Sequence, residues 1–343
     1  MQQPSMKNYE FETGMYRPPS EGGNASLLLR MTRNCPWNHC TFCAMYKSEK
    51  FELRKPEEII QDINVMNDIS SQLKEISLQQ GSMFTAPTFS KFLENKPELY
   101  FHPGISMLFN WLAAGGKTVF LQDADSLIMK TDHMVQVLHH LKKTFPTIQR
   151  VTSYSRSRTI VKKPGADLEK IKKAGLDRLH IGLETGDATL LKKIKKGATP
   201  EDHVKGGKKA MNAGFQVSEY WMPGLGQKSL SYDHAKHTAE ILNLINPHYI
   251  RSRPFTPRPG TLLFEKASRN ELEPMTPKEQ LLEIKQTLED LKVTSRVCFD
   301  HAGNSWTTSS GRLLLSQSYE GYKFPEEKEP LLALIENQLK RET

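Results

Sequence analysis

The chain has 343 residues, a formal net charge of +8, 37% hydrophobic residues and 25% charged residues, which is the composition of an ordinary globular protein. No apolar run approaches the roughly 18 residues that a membrane span needs, and residues 1–9 lack the apolar core of a secretory signal. The composition therefore argues against membrane-spanning and secreted classes and predicts a cytoplasmic protein. Because α/β barrels reach about 200–400 residues as one domain, we expect one large domain with extensions.

The net charge of +8 is compatible with a nucleic-acid or phosphate-bearing partner, because basic surfaces attract polyanions. The densest basic stretches, 192–196 and 205–209, lie in segments whose apolar spacing predicts amphipathic helices. Solvated helix faces explain the same pattern. The charge therefore allows a nucleic-acid partner without favouring one.

Residues 1–24 are polar and rich in proline and glycine, which predicts an N-terminal leader without a core of its own. The apolar run over 26–32 predicts a buried strand. Pro56 and two following carboxylates predict a helix start, and apolar spacing carries that helix to about Leu73. From 77 to 103 the periodicity is lost, which predicts an insertion or lid.

After residue 105 helices and strands alternate regularly. Five further strands are predicted, at 118–122, 150–154, 177–183, 215–222 and 248–253. The segments between them carry helical periodicity, and crossover helices join strands that run in parallel. We therefore predict an α/β fold, a partial (β/α)6 TIM-like barrel over residues 25–260. Residues 261–343 predict a helical C-terminal extension with helices at 277–293 and 326–341.

Three of the four cysteines, Cys35, Cys40 and Cys43, lie within nine residues directly after the first strand. Such clustering favours metal ligation over a disulfide framework. A zinc site is one alternative, with His39 or Cys298 as a fourth ligand. His39 adjoins Cys40, which makes joint ligation awkward, and the lone Cys298 is typical of a buried thiol.

Working residues of parallel α/β barrels gather at the carboxyl ends of the strands. Here the strands are followed by polar or glycine-rich segments at 122–125, 153–156, 182–186, 222–226 and 251–253. These segments predict a ligand-lined mouth. Arginines such as Arg156 and Arg251 can clamp a carboxylate with two hydrogen bonds, although a structural ion pair would explain each equally well.

With Phe42 directly before the last cysteine, the loop resembles that of the radical S-adenosylmethionine (radical SAM) superfamily. Residues 179–197, with Gly182-Leu183-Glu184-Thr185-Gly186, resemble the fourth-strand segment of the branch that includes oxygen-independent coproporphyrinogen oxidases and tRNA methylthiotransferases. Residues 222–226 resemble the fifth-strand glycine turn of that branch. The resemblance covers about residues 25–260. One departure is the first gap of four residues between Cys35 and Cys40, where the common family spacing is Cys-x3-Cys-x2-Cys.

The resemblance implies an enzyme in which the three cysteines ligate a [4Fe–4S] cluster and leave one iron open for S-adenosylmethionine (SAM). The reduced cluster would cleave SAM to a 5′-deoxyadenosyl radical that abstracts hydrogen from the substrate. Phe42 would lie near the adenine, Asp123 and Asp125 would receive the SAM amino group, and Gly224 would admit the cofactor closely. The implied cofactor-binding set is Phe42, Asp123, Asp125, Ser153, Arg156, Glu184, Gly224 and Arg251.

A small-molecule substrate and an electron donor such as flavodoxin or ferredoxin are expected from this resemblance. An RNA-modifying enzyme is the first alternative, although no appended RNA-binding domain is visible after residue 260. A non-catalytic zinc or iron–sulfur protein is the second. Residues 77–103 and 254–343 would recognise the substrate, and within them Asp300, His301 and Asn304 are either substrate contacts or ordinary loop residues.

Overall fold

The computed structural model of the chain describes residues 9–15, 17–18, 21, 25–81, 84–308 and 310–341. The strands are, in chain order, β1 (Ser26–Arg30), β2 (Thr32–Arg33), β3 (Glu52–Leu53), β4 (Thr118–Gln122), β5 (Arg150–Ser155), β6 (Arg178–Glu184), β7 (Gln216–Trp221), β8 (Tyr249–Ser252), β9 (Arg296–Cys298) and β10 (Tyr322–Lys323). The helices are α1 (Pro56–Gln79), α2 (Ala86–Asn95), α3 (Ile105–Ala113), α4 (Thr131–Thr144), α5 (Ser157–Lys162), α6 (Gly165–Lys173), α7 (Ala188–Lys193), α8 (Pro200–Asn212), α9 (Gln227–Ile245), α10 (Leu262–Ser268), α11 (Pro277–Asp290) and α12 (Lys328–Arg341).

The fold is α/β, with a mostly parallel sheet of eight strands in the order β1-β4-β5-β6-β7-β8-β9-β10 across the described residues. The strands β1, β4 and β5 pair in parallel, and so do β6, β7, β8 and β9. The last strand, β10, is antiparallel to β9, and β2 and β3 form a separate antiparallel ribbon. The predicted fold class is confirmed.

The chain divides into two compact units. The first unit comprises Met1–Asn34, Phe51–Tyr154 and Lys170–Asp177, and the second comprises Cys35–Lys50, Ser155–Glu169 and Arg178–Thr343. The core of the first unit includes β1 and the apolar face of α1, where Ile59, Ile63 and Met66 are fully buried. This face repeats every three or four residues, as the helical period requires.

Residues 9–15 pack into the first unit. Tyr9 and Phe11 are buried, and the Glu12 carboxylate lies 2.7 Å from both Arg30 Nη1 and Arg33 Nη2. Positions 1–8, 16, 19–20 and 22–24 of the predicted 1–24 leader lie outside the described residues. The Glu12 ion pairs therefore hold this segment to β1 and β2, while the Phe11 ring packs against His102 at 4.4 Å.

The second unit has its largest apolar core between β7–β9 and the helices α9, α11 and α12. Trp221, Phe299 and Phe324 are among its fully buried rings. Helix α11 packs along both α9 and α12. The C-terminal extension thus contributes two helices to the core and two strands, β9 and β10, to the sheet.

Three elements differ from the sequence-based prediction. Strands β9 and β10 have three and two residues, which is too short for a period of two to be visible. Helix α2 lies inside the segment predicted as an insertion or lid, and it buries only Thr88 and Phe92. Two buried residues are too few to show a helical period in the sequence. No helix in the described part of the chain is long and apolar enough to cross a membrane.

Gly186, just after β6, is enclosed by the backbone of α9. A Cβ at Gly186 would lie 2.1 Å from the carbonyl oxygen of His237, and the Gly186 N–H already donates to Thr238 Oγ1 at 3.0 Å. We therefore expect Gly186→Ala to lower the free energy of unfolding by about 1–3 kcal/mol, the usual cost of overpacking. Urea unfolding of the purified chain measures this.

Gly165→Ala is the matched control. A Cβ at Gly165 would meet no atom within 4 Å, so alanine there should stabilise helix α6 by about 0.4–1 kcal/mol through the unfolded state. Equal effects of the two substitutions would contradict the steric explanation.

Candidate metal centre

The three clustered cysteines lie on one loop of the second unit. Cys35, Cys40 and Cys43 are half-buried and their thiols are free. The Cys43 N–H donates to the Cys40 carbonyl at 3.4 Å, and the Thr41 N–H donates to the Ile194 carbonyl at 3.0 Å. Backbone hydrogen bonds within the loop and to the segment after α7 therefore shape the loop.

Asn38 accommodates the additional residue between Cys35 and Cys40. Its φ of 49° lies in the left-handed region, which asparagine tolerates better than most residues. Its N–H donates to Cys35 Sγ at 3.4 Å, and its side-chain amide donates to the Tyr46 carbonyl. A left-handed turn thus absorbs the longer gap.

Trp37 attaches the same loop to the segment after α7. Its Nε1–H donates to the Lys195 carbonyl at 2.7 Å, and the Arg156 guanidinium lies 4.8 Å from the indole ring. Gly197, with a φ of 69°, leaves room for the ring, because a Cβ there would lie 2.3 Å from it. The tryptophan therefore acts as the loop's anchor.

A buried ion pair lies beside the loop. Lys196 Nζ is 2.7 Å from Glu184 Oε1, and only about a tenth of each side chain is exposed. A Cβ at Gly182 would lie 2.1 Å from Glu184 Oε1, so glycine at 182 creates the space for the pair. Glu184 itself has a φ of 64°, at a break in the β6–β7 register.

Burial raises the pKa of the Cys40 and Cys43 thiols. Lys196 and Arg156 oppose this at Cys40, and Arg253 opposes it at Cys43, because nearby cations favour the thiolate. Metal binding must release these protons, since the thiolate is the ligand. The positive side chains are thus placed where deprotonated ligands would need them.

Two further ionisable side chains near Lys196 are fully buried. Burial lowers the pKa of His203 to about 3 and raises the pKa of Glu219 well above its usual value. Within the described residues, neither ring nitrogen of His203 and neither carboxyl oxygen of Glu219 has a hydrogen-bond partner. Glu184 is therefore the negative partner that Lys196 has in this region.

The donor set of the loop fits an iron–sulfur cube. Three thiols match the ligands of a [4Fe–4S] cluster with one open iron. Nowhere in the described ranges do three His, Cys, Asp or Glu side chains converge to hold one metal ion. Two residues were considered as a fourth zinc ligand. His39 is exposed and packs edge-on against Trp37, with the ring centroids 4.9 Å apart. Cys298 Sγ donates a hydrogen bond to the Tyr319 carbonyl at 3.4 Å.

Other predicted site residues of the second unit have clear structural partners. Phe42 packs on the apolar cluster of Leu190, Ile194, Met222, Leu225 and Phe255. Gly224, with a φ of 83°, donates its N–H to Glu283 at 2.6 Å. Arg251 is fully buried, lies between the rings of Tyr249 and Tyr319, and pairs with Asp300 at 2.7 Å. Arg156 donates to the Lys196 carbonyl at 2.7 Å.

The first unit contains the remaining predicted residues, Asp123, Asp125 and Ser153, all buried. Asp123 Oδ2 accepts hydrogen bonds from Arg30 Nη2 and from the Asn34 N–H, each at 2.7 Å. Burial raises the pKa of Asp123, and these two donors oppose the rise. Asp123 Oδ1 is buried and has no hydrogen-bond partner among the described residues, so it remains an available acceptor.

Sequence reasoning missed Lys196 and Trp37, and it considered Arg253 only as one of several arginines near strand ends. Lys196 ends a basic run that predicts a solvated helix face, yet it is buried. No sequence signal marks it, because Lys196 ends the predicted helix in the same basic run as the exposed lysines before it. No sequence signal distinguishes Arg253 from the neighbouring arginines.

A family model described as the Radical SAM superfamily matches residues 29–241, which is well over half of the chain. No curated protein sequence matches this chain. Solved structures with a similar fold include methylornithine synthase (PylB), at 14% identity and a TM-score of 0.48, covering 81% of this chain and 67% of that chain. An archaeal Elp3 from Methanocaldococcus infernus is 16% identical with a TM-score of 0.46, covering 64% and 54%. Coproporphyrinogen III oxidase (HemN) from Escherichia coli is 12% identical with a TM-score of 0.41, covering 50% and 39%.

The buried pair yields a double-mutant test. Lys196→Met leaves Glu184 as an uncompensated buried carboxylate, so we expect a loss of about 3–5 kcal/mol in the free energy of unfolding. Adding Glu184→Gln should restore most of that loss, because no buried charge then remains. Urea unfolding of both single variants and the double variant checks this, and additive losses would contradict it.

Cys298 provides a second test. It is fully buried, and burial raises the pKa of its thiol to about 12, so almost no reactive thiolate exists at pH 8. In the metal-free native chain we expect iodoacetamide to label the three half-buried loop cysteines, and Cys298 to react only after unfolding. Intact mass measures the number of labels, with Cys298→Ala as the control that should also take three. A fourth label on the native chain would refute the assignment.

Proposed function

Since the chain belongs to the radical SAM superfamily, we propose that it is a radical SAM enzyme in which Cys35, Cys40 and Cys43 hold a [4Fe–4S] cluster that binds SAM. The observation that carries the proposal is the set of three free, half-buried thiols on one loop. The chemistry that such a cluster supplies when bound is one-electron cleavage of SAM, giving methionine and a 5′-deoxyadenosyl radical that abstracts hydrogen from a substrate.

The chain's own residues shape and orient the ligand loop. Asn38 holds the longer first gap in a left-handed turn, and Trp37 fixes the loop against the Lys195 carbonyl. Phe42 packs into an apolar cluster on the same side, where it limits access of water. A loop that is already ordered does not lose conformational freedom when it binds its ligand.

Electrostatic compensation is the second contribution. Three thiolates bring three negative charges to the loop, and the cations that act on Cys40 and Cys43 are Lys196, Arg156 and Arg253. Glu184 accepts from Lys196 at 2.7 Å and keeps its ammonium group in place. Lys196 and Glu184 are thus proposed as positioning residues.

The proposed SAM-binding side chains follow the resemblance: Phe42, Asp123, Asp125, Ser153, Arg156, Glu184, Gly224 and Arg251. Support differs among them. The unpartnered Asp123 Oδ1 supports a role as acceptor for an amino group. For Arg251 the ion pair with Asp300 supports a structural role as well.

The proposed substrate is a small molecule, and the electron donor is a carrier such as flavodoxin or ferredoxin. RNA modification is the alternative that the net charge of +8 allows. Four cysteines with three of them clustered and free support a reducing, cytoplasmic compartment.

Cys40→Ala tests the proposed function. After anaerobic reconstitution with iron and sulfide, we expect the wild-type chain to bind iron and, once reduced, to convert SAM to 5′-deoxyadenosine. Cys40→Ala should lose this product to the detection limit, because one cluster ligand is missing. Iron content, the visible absorption of the cluster and chromatography of 5′-deoxyadenosine are the measurements.

Cys298→Ala is the matched control, since Cys298 lies outside the loop and should keep both iron and cleavage activity. A wild-type chain that binds one zinc and no iron, or an active Cys40→Ala variant, would refute the proposed function.

A further inference from the structure

A pair of hydrogen-bonded contacts holds the loop after β9 against the end of β8. Arg251 pairs with Asp300 at 2.7 Å. Ser252 Oγ donates to Asn304 Oδ1 at 2.8 Å, and Asn304 Nδ2 donates to the Ser252 carbonyl at 2.9 Å. Arg253, the residue that follows β8, is therefore brought near His301, which lies between the two anchors Asp300 and Asn304.

Packing agrees with this placement. A Cβ at Gly303 would lie 3.1 Å from His301 Nδ1 and 3.4 Å from Pro254 Cδ, so the loop lies against the residue that follows Arg253. The Arg253 N–H donates to the Trp221 carbonyl at 2.9 Å and fixes its backbone. Arg253 and His301 are half-buried, and Arg258 is exposed.

Two of the three side chains, Arg253 and Arg258, carry positive charges that no ion pair balances within the described part of the chain. Burial, Arg253 and Arg258 together lower the pKa of His301 to about 4, so both guanidinium groups act on the imidazole. Within the described residues, neither guanidinium has a hydrogen-bond or ion-pair partner. The nearest acidic residue in sequence, Asp300, is already paired with Arg251.

His301 is oriented as a donor. Its Nδ1 accepts from the Gly303 N–H at 3.0 Å, so the proton of the neutral ring lies on Nε2. A neutral imidazole N–H and two guanidinium groups are donors that match the oxygens of a carboxylate or a phosphate.

We propose that Arg253, Arg258 and His301 form a binding subsite for an oxyanion of the substrate, either a carboxylate or a phosphate. The assignment to the substrate rests on the proposed function. The subsite predicts that the substrate is an anion. The contacts of Asp300 and Asn304 with β8 would then serve to position His301 beside Arg253.

Calorimetric titration of the reconstituted full-length chain tests the subsite, with inorganic phosphate and acetate as separate probes. We expect at least one probe to bind. The double variant Arg253→Gln/Arg258→Gln should weaken the affinity for that probe by about tenfold or more, because two charge-assisted hydrogen-bond donors are lost. Which probe binds more tightly distinguishes phosphate from carboxylate. Arg269→Gln is the matched control, since Arg269 is an exposed arginine paired with Glu271.

A parallel titration with SAM decides whose anion is bound. If Arg258→Gln, which leaves the charge of Arg253 near Cys43 in place, binds SAM as the wild type does, the subsite belongs to the substrate. An equal loss of SAM affinity would assign the anion to SAM and overturn the proposal, as would probe binding that the double variant leaves unchanged. Because 5′-deoxyadenosine formation is measured separately, failure of the subsite and failure of the proposed function are distinguishable.

Discussion

The ion pair between Lys196 and Glu184 is the interaction on which the candidate centre depends. It is buried, it needs glycine at 182, and its ammonium group acts on Cys40, His203 and Glu219. A buried charge is tolerated only when a partner and further hydrogen bonds compensate it. The Glu184 carboxylate, the Cys40 thiol and the buried side chains of His203 and Glu219 are therefore arranged around one cation. The segment that carries this cation also holds Trp37 through the Lys195 carbonyl.

The fold was predictable because its strands are apolar runs separated by clear helical periods. The polar residues after each strand predicted a site at the carboxyl edge of the sheet, because working residues of parallel α/β folds gather there. The cysteine loop was predictable for a similar reason, because three thiols in one loop have few structural uses. The ion pair was not predictable, since nothing local distinguishes Lys196 from the exposed lysines that precede it.

Other features depend on contacts between distant parts of the chain. Strands β9 and β10 are ordered by pairing at the edge of the sheet rather than by their own sequence. The partners of Arg251 and Ser252 are Asp300 and Asn304, and no spacing in the sequence predicts that pairing. Residues recognised as a polar cluster in the sequence thus turn out to be divided. Asp300 and Asn304 hold the loop to β8. Of the three, only His301 keeps a ring N–H that can donate a hydrogen bond to a ligand.

The contact between Trp37 and Gly197 has a consequence for how such chains can diverge. The indole ring fills the space that any side chain at 197 would occupy, so these two positions form a single steric unit. A lineage can enlarge residue 197 only after it has reduced residue 37, and the reverse order would displace the cysteine loop. Among related chains, a tryptophan at this place in the loop and a glycine after the buried lysine should therefore be gained and lost together.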